Sequence, residues 1–188
     1  MKPALFLDRD GVLNVDTSYA YRLDELELTP GATAALSRAA DAGLRLIVVT
    51  NQGGIALDYY SEKEMHTFNV ELARRLAKES AGHVQIAAFY HCPHHPRSEK
   101  PGFADPCDCR KPSPGMILQA KDDFPDTDLS RSWMIGDKAS DIEAARNAHL
   151  AGAIQLVGNY QMHPSPDHIC HTLGEAVDHV LTQTSATT

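Results

Sequence analysis

Residues Ala4-Leu5-Phe6-Leu7-Asp8-Arg9-Asp10-Gly11 decide the fold. Four apolar side chains in a row describe a short strand buried on both faces, and the run stops on two acids. Four more compact runs follow, at residues 44–49, 86–90, 133–135 and 153–157. Amphipathic stretches separate them. Ser61-Glu62-Lys63-Glu64 has the capping-box form, and Met65, Phe68, Leu72 and Leu76 then share one helical face. Leu173, Ala176, Val177, Val180 and Leu181 repeat at helical spacing and predict a closing helix. Gly43 and Gly152 each stand just before a strand, where a helix end favours positive φ. Such alternation predicts an α/β fold, a doubly wound parallel sheet covered by helices on both faces.

Two segments break the alternation. Residues 12–29 are polar and Tyr-containing, and residues 91–111 are rich in Pro, His and Cys. Both are too short for domains, so a flap and a functional loop on one sheet are expected. The 188 residues correspond to a single domain, with a frayed polar tail expected at 182–188.

Charge narrows the partners. Seventeen Lys and Arg against 25 Asp and Glu give a net charge of −8. That balance argues against nucleic acid or an anionic membrane, because phosphate affinity rests on clustered basic residues. A small anionic substrate needs only a few local cations. No segment nears the ~18 apolar residues of a membrane span, and the opening apolar run is too short for a signal peptide. A cytoplasmic monomer is the expectation.

Open α/β sheets bind ligands outside the carboxyl ends of their strands. The unusual polar residues collect there: Asp8-Arg9-Asp10-Gly11, Thr50-Asn51-Gln52-Gly53, Arg110-Lys111-Pro112 and Gly136-Asp137-Lys138. At a strand end, Asp8 and Asp10 face one side while Arg9 faces away. Two carboxylates that close repel unless one is protonated or a cation lies between them. A hard divalent ion with oxygen ligands, Mg²⁺ above all, resolves the conflict. Asp137 and Asp141, one helical turn apart, supply further acid.

The second constellation is Cys92-Pro93-His94-His95-Pro96 followed by Cys107-Asp108-Cys109. Three thiolates and one imidazole make a closed tetrahedral Zn²⁺ site, the structural type with no position left for water. His91 and His95 compete as fourth ligand, and one-residue alternation favours His94. Ordering a long irregular loop costs entropy that its few apolar side chains cannot offset, and a metal can. Zinc is then structural, aiming Arg110 and Lys111 at the rim. Cys170 lies outside the cluster and reads as a small buried residue.

Asp8-x-Asp10-Gly11, Thr50, Lys111 and Gly136-Asp137-x-x-x-Asp141 together resemble the four motifs of the haloacid dehalogenase superfamily of phosphohydrolases, in order across residues 8 to 141. The resemblance implies that Asp8 attacks phosphorus to form an aspartyl-phosphate, and that Asp10 serves as general acid and then base. It implies that Thr50 and Lys111 stabilise the transferring phosphoryl group. Mg²⁺ is implied on Asp8, Asp137 and the backbone carbonyl of Asp10, with Asp141 supporting its neighbours. Between Asp10 and Thr50 there is no room for a large cap domain.

Within that superfamily the CPHHP and CDCRKP segments and Thr50-Asn51-Gln52-Gly53-Gly54-Ile55-Ala56 look like the heptose bisphosphate phosphatases. These remove the 7-phosphate of D-glycero-D-manno-heptose 1,7-bisphosphate on the route to ADP-heptose and lipopolysaccharide core. The histidinol-phosphate phosphatases share the zinc loop and are the same-class alternative, the longer loop here favouring the heptose enzymes. A non-catalytic zinc module is the alternative from another class. The resemblance implies substrate contacts at Asp16, Thr17, Ser18, Tyr19, Thr50, Asn51, Gln52, Gly53, Arg110, Lys111 and Lys138. A second phosphate suits Arg110, whose guanidinium forks onto its oxygens. Val12, Gly54 and Leu57 depart from the common Thr, Ser and basic residue.

Overall fold

A computed structural model describes residues 1–185. Six strands form one parallel sheet: β1 (Ala4–Leu7), β2 (Arg45–Asn51), β3 (Ala88–Cys92), β4 (Trp133–Gly136), β5 (Gly152–Leu156) and β6 (His168–Cys170). Their order is β3-β2-β1-β4-β5-β6, which reverses direction at β1 and β4. Five helices connect them: α1 (Ala32–Asp41), α2 (Glu62–Glu79), α3 (Gly115–Asp123), α4 (Ala139–Asn147) and α5 (Leu173–Ser185).

Strand alternation sorts the core into two layers. Leu5 and Leu7 of β1, with Leu46, Val48, Ile135 and Ile154, pack under α1, α2 and α5 through Leu36, Phe68, Leu72, Ala176 and Val177. Ala4 and Phe6 face the opposite way, with Ile47, Val49, Met134 and Ala153, against Met116 and Ile117 of α3 and Ile142 and Ala145 of α4. Every β1 side chain is buried, each large one contributing about 1.5–3 kcal/mol. This is the doubly wound sheet that the sequence predicts.

The capping box forms: the Ser61 hydroxyl accepts from Glu64 N at 3.2 Å and Glu64 Oε2 accepts from Ser61 N at 2.8 Å. Gly43 has the expected positive φ of 84°. Gly152 does not belong to a helix end. It lies in β5, where an added Cβ would meet the Trp133 ring at 2.4 Å, so close packing selects it. The positive φ after α4 falls instead on His149, at 55°. β3 runs through His91 and Cys92, so the irregular loop starts one residue past the first zinc-ligand candidate. Residues 182–185, expected to fray, complete α5; residues 186–188 of that tail lie outside the described residues.

The flap at 12–29 turns back on the rim. Thr29 donates its hydroxyl to Val12 O at 2.6 Å, and Val15 N donates to Glu27 O at 2.9 Å. Val12, Leu13, Ala20 and Leu26 bury into the core beneath it. The span from Asp10 to Thr50 holds this flap, α1 and β2, with no cap domain.

Candidate active site

Asp8 sits where β1 ends, 3% exposed. Lys111 Nζ lies 2.9 Å from Asp8 Oδ1 and 2.5 Å from Asp141 Oδ1, and donates to Val49 O at 2.8 Å. Arg9 N donates to Asp8 Oδ1 at 2.8 Å. Burial alone would raise the Asp8 carboxyl, but the ammonium groups of Lys111 and Lys138 and these hydrogen bonds outweigh it and hold it below its usual range. For Lys111, burial works to lower its pKa and the Asp141 and Asp8 charges win, so it stays cationic. A buried, ionised carboxylate beside a buried ammonium is therefore ready at the strand end.

Asp10 is held differently. Arg9 forks onto it, Nε to Oδ1 at 3.2 Å and Nη2 to Oδ2 at 3.0 Å. Asn14 donates to Oδ1 and Gln52 to Oδ2, each at 3.0 Å. Arg9 is fully buried over the Phe68 ring and also reaches Asn69 Oδ1 and Ala20 O. The alternation argument placed Arg9 away from the acids. Its stem does leave on the other face, but its length brings the guanidinium back onto Asp10, a reach that strand periodicity does not encode.

Asp8, Asp137 and Asp141 bring carboxylate oxygens within 4.8 Å of one another. Three acids against the two ammoniums of Lys111 and Lys138 leave one negative charge unbalanced. Asp137 Oδ1 is buried with no hydrogen-bond partner. Burial, and then the Asp8 charge, push the Asp137 carboxyl up to about 7. A buried carboxylate oxygen with no hydrogen bond, and with Lys138 Nζ only as close as 3.5 Å, fits a hard divalent cation in this acid surplus, which would favour the ionised form. Gly11, at φ 84°, is required here, since a Cβ would fall 2.2 Å from Asp137 Oδ2. Asp141 is no solvated acid: fully buried, it accepts from Lys138 N at 3.0 Å and anchors Lys111.

A cleft of about 480 Å³ opens over Asp8 and Asp10, a volume suited to a small molecule. Of the residues named as substrate contacts, Asp16, Ser18, Tyr19, Thr50, Asn51, Gln52, Gly53, Arg110, Lys111 and Lys138 line it. Thr17 does not. Asp137 borders a smaller neighbouring hollow with Gly11. Tyr60, Ser140 and Tyr160 line the cleft without having been singled out in the sequence, and His95, weighed there only as a zinc ligand, lines it too.

Each wall has a visible support. Asn51 clamps Lys111 by a reciprocal pair of 3.0 Å bonds, Nδ2 to Lys111 O and Lys111 N to Oδ1. Gln52 bridges Asp10 to Thr50 Oγ1 (2.8 Å) and accepts from the Tyr60 hydroxyl at 2.6 Å. Gly54 stands where a Cβ would meet the Tyr60 ring at 2.3 Å and Tyr19 at 2.9 Å, which accounts for the missing serine. Lys138 Nζ lies 3.7 Å from Asp16 and 4.2 Å from the Tyr160 ring centroid, and the Tyr160 hydroxyl donates to Asp16 at 2.6 Å. Lys138 thus joins the flap to the loop after β5.

The Cys/His residues converge beside this cleft. Cys109 Sγ is 3.1 Å from Cys92 Sγ, 3.3 Å from Cys107 Sγ and 3.3 Å from His94 Nδ1. His94 is therefore the imidazole of the cluster. His91 turns instead to Glu62, and His95 packs against Gly53 at the cleft. Arg110 Nη1 donates to His94 O at 2.8 Å, so the cluster backbone orients the guanidinium. Cys170 is buried near α5, apart from the other three.

A parallel sheet with an aspartate pair and a further aspartate after adjoining strands, and a loop lysine bonded onto a third strand, is the pattern of a HAD-like hydrolase, and a HAD-hydrolase-like family model matches residues 108–176. The D-glycero-D-manno-heptose-1,7-bisphosphate 7-phosphatase of Thermosynechococcus vestitus is 43% identical over 192 positions, covering 96% of each chain. The beta-anomer-named enzyme of Escherichia coli K12 is 40% identical over 79% of this chain and 75% of its own length. The D,D-heptose 1,7-bisphosphate phosphatase of B. bronchiseptica, solved with magnesium and phosphate, superposes with a TM-score of 0.79 at 26% identity, over 96% of this chain and 99% of that one. The chain belongs to the D-glycero-D-manno-heptose-1,7-bisphosphate 7-phosphatase family and is a phosphoric monoester hydrolase. Among the described residues, no helix is long and apolar enough to cross a membrane.

Proposed function

We propose that the protein removes the 7-phosphate of D-glycero-D-manno-heptose 1,7-bisphosphate, on the route to ADP-heptose and lipopolysaccharide core, with Asp8 as nucleophile. The observation that carries this reading is the buried Asp8 carboxylate, kept ionised beside Lys111 at the floor of a cleft that Arg110 and Lys138 also line. A substrate with two phosphates finds a catalytic cation at one end and a guanidinium at the other.

The chemistry divides between two carboxyl groups. An Asp8 oxygen attacks phosphorus and the bond from phosphorus to the C7 oxygen breaks. Asp10 gives its proton to the departing alkoxide, which leaves an aspartyl-phosphate. Asp10 then takes a proton from a water whose oxygen attacks that phosphorus, and inorganic phosphate and free Asp8 result. Arg9, Asn14 and Gln52 aim Asp10 from three directions, so one geometry serves both proton transfers. Thr50 and Lys111 stabilise charge on the transferring phosphoryl oxygens. Asp8, Asp137 and the backbone carbonyl of Asp10 would hold Mg²⁺, which when bound supplies charge neutralisation for the phosphoryl group. Cys92, His94, Cys107 and Cys109 would hold Zn²⁺ as a structural clamp. Asp16, Ser18, Tyr19, Asn51, Gln52, Gly53, Arg110 and Lys138 bind the sugar and its distal phosphate.

The test is phosphate release from both anomers of the 1,7-bisphosphate, beside histidinol phosphate, with Mg²⁺ added or withheld. Both anomers are needed because an alpha-named relative from Photorhabdus laumondii is 41% identical over 77% of each chain, close to the beta-named one. Mg²⁺-dependent release from the bisphosphate with a higher kcat/KM than histidinol phosphate is expected. The reverse preference would overturn the reading.

A further inference from the structure

A third cluster lies outside the active site and the cysteine loop. Glu62 and His66 are one turn apart at the start of α2, and His91 projects towards them from β3. Glu62 Oε1 is 3.0 Å from His91 Nε2 and 3.7 Å from His66 Nε2, and the two imidazoles meet edge to face with centroids 5.3 Å apart. One carboxylate oxygen and two imidazole nitrogens, all within 4.8 Å, thus face a single point.

We propose that Glu62, His66 and His91 form a binding site for a late first-row divalent ion such as Zn²⁺ or Ni²⁺. At about 2.1 Å from an ion, neighbouring N and O ligands sit about 3.0 Å apart in octahedral and about 3.4 Å apart in tetrahedral geometry. The observed 3.0 and 3.7 Å lie close to both. Two imidazoles with one carboxylate select nickel, copper or zinc over magnesium, which prefers oxygen throughout. A hydrogen bond from His91 to Glu62 accounts for one of the two short approaches. His66 reaches the same oxygen from one helical turn on, an i,i+4 approach at 3.7 Å, so the one carboxylate oxygen is shared by both imidazoles as a common metal ion would require.

The site is separate from the cysteine cluster although His91 precedes Cys92. Successive strand residues face opposite sides, so His91 meets α2 while Cys92 buries against the α3 side. Glu62 and His66 side chains are 57% and 58% exposed, which leaves coordination positions open to water. A bound ion would tie the first turn of α2 to β3, whose His91 pairs in register with Thr50.

Calorimetric titration of Ni²⁺ into the protein as purified, with Mg²⁺ in excess, tests this. Wild type is expected to bind one Ni²⁺ without losing zinc, and to melt at higher temperature when loaded. Exposed His66→Ala, and separately Glu62→Gln, should weaken that binding roughly tenfold or more and remove the melting shift. Asp137→Asn should leave both unchanged. Equal Ni²⁺ binding by wild type and His66→Ala, uptake matched by zinc release, or no uptake by wild type (a hydrogen-bonded Glu–His pair only) would overturn the proposal.

Discussion

The catalytic rim and the Cys/His loop adjoin, yet different forces order them. Asp8, Thr50, Lys111, Asp137 and Asp141 are all under 5% exposed and end on or bond to strands of the sheet. Their positions come with the hydrophobic layers. From Pro93 to Arg110 the chain has neither helix nor strand. It meets the apolar clusters at its edges, through Cys107 and Cys109 on one side and Phe103, against the cluster of Ile55, Tyr60 and Met65, on the other. Polar ties such as Ser98 to Ala56 O and Lys100 to Ile55 O hold part of it, and on the proposed reading a zinc ion on Cys92, His94, Cys107 and Cys109 would hold the rest. The chemistry is therefore built into the fold, while the placing of Arg110 depends on the cluster.

The sharpest separation of the two regions comes from Asp8→Asn. It removes the proposed nucleophile without changing volume, and Lys111 keeps Asp141 as partner. Phosphate release should fall by at least roughly a thousandfold, while a cooperative melt and the zinc content persist. Retained turnover would mean that another group attacks phosphorus.

Removing the loop's clamp should do the opposite. Cys109→Ser takes away the sulfur that lies nearest the other three ligand atoms. The melting temperature should drop, and kcat/KM for the bisphosphate should fall on the order of tenfold to a hundredfold. Hydrolysis of p-nitrophenyl phosphate, which needs only the rim, should suffer far less. Equal losses on both substrates would show that the loop takes part in the chemistry.

Arg110→Ala isolates what the loop carries. Removing a forked guanidinium from a phosphate costs about 1.5–3 kcal/mol, so KM for the bisphosphate should rise roughly tenfold or more at little change in kcat. A fall in kcat with KM constant would move Arg110 to the transferring phosphate.

The same contrast explains what the sequence reveals. Strand-end acids are legible because β1 announces itself by four buried apolar residues and the acids follow immediately. His94 is legible because residues two apart on an extended chain share a side. Other features carry no local signal. β6 has three residues, two of them exposed at the sheet edge, so hydrophobic patterning has nothing to register. The Arg9 guanidinium acts through the reach of its stem. Tyr60 and Tyr160 reach the cleft by long-range packing, one from the loop before α2 and one from the loop after β5, where no motif marks them.

Tyr160 offers the finest test of how far recognition extends beyond the cysteine loop. Its hydroxyl holds Asp16 of the flap and its ring faces the Lys138 ammonium, so it touches both walls that the loop does not supply. Burial, and then the bond to Asp16, push its phenol up to about 12, so it remains a neutral donor at working pH. Tyr160→Phe deletes that donor and keeps the ring over Lys138. Losing one solvent-exposed hydrogen bond costs about 1 kcal/mol, so KM for the bisphosphate should rise about fivefold, with p-nitrophenyl phosphate unaffected. Tyr160→Ala, which also removes the ring from Lys138, should raise KM further. Should both variants match wild type, recognition would rest on the Cys/His loop, and the flap would serve only to cover the rim.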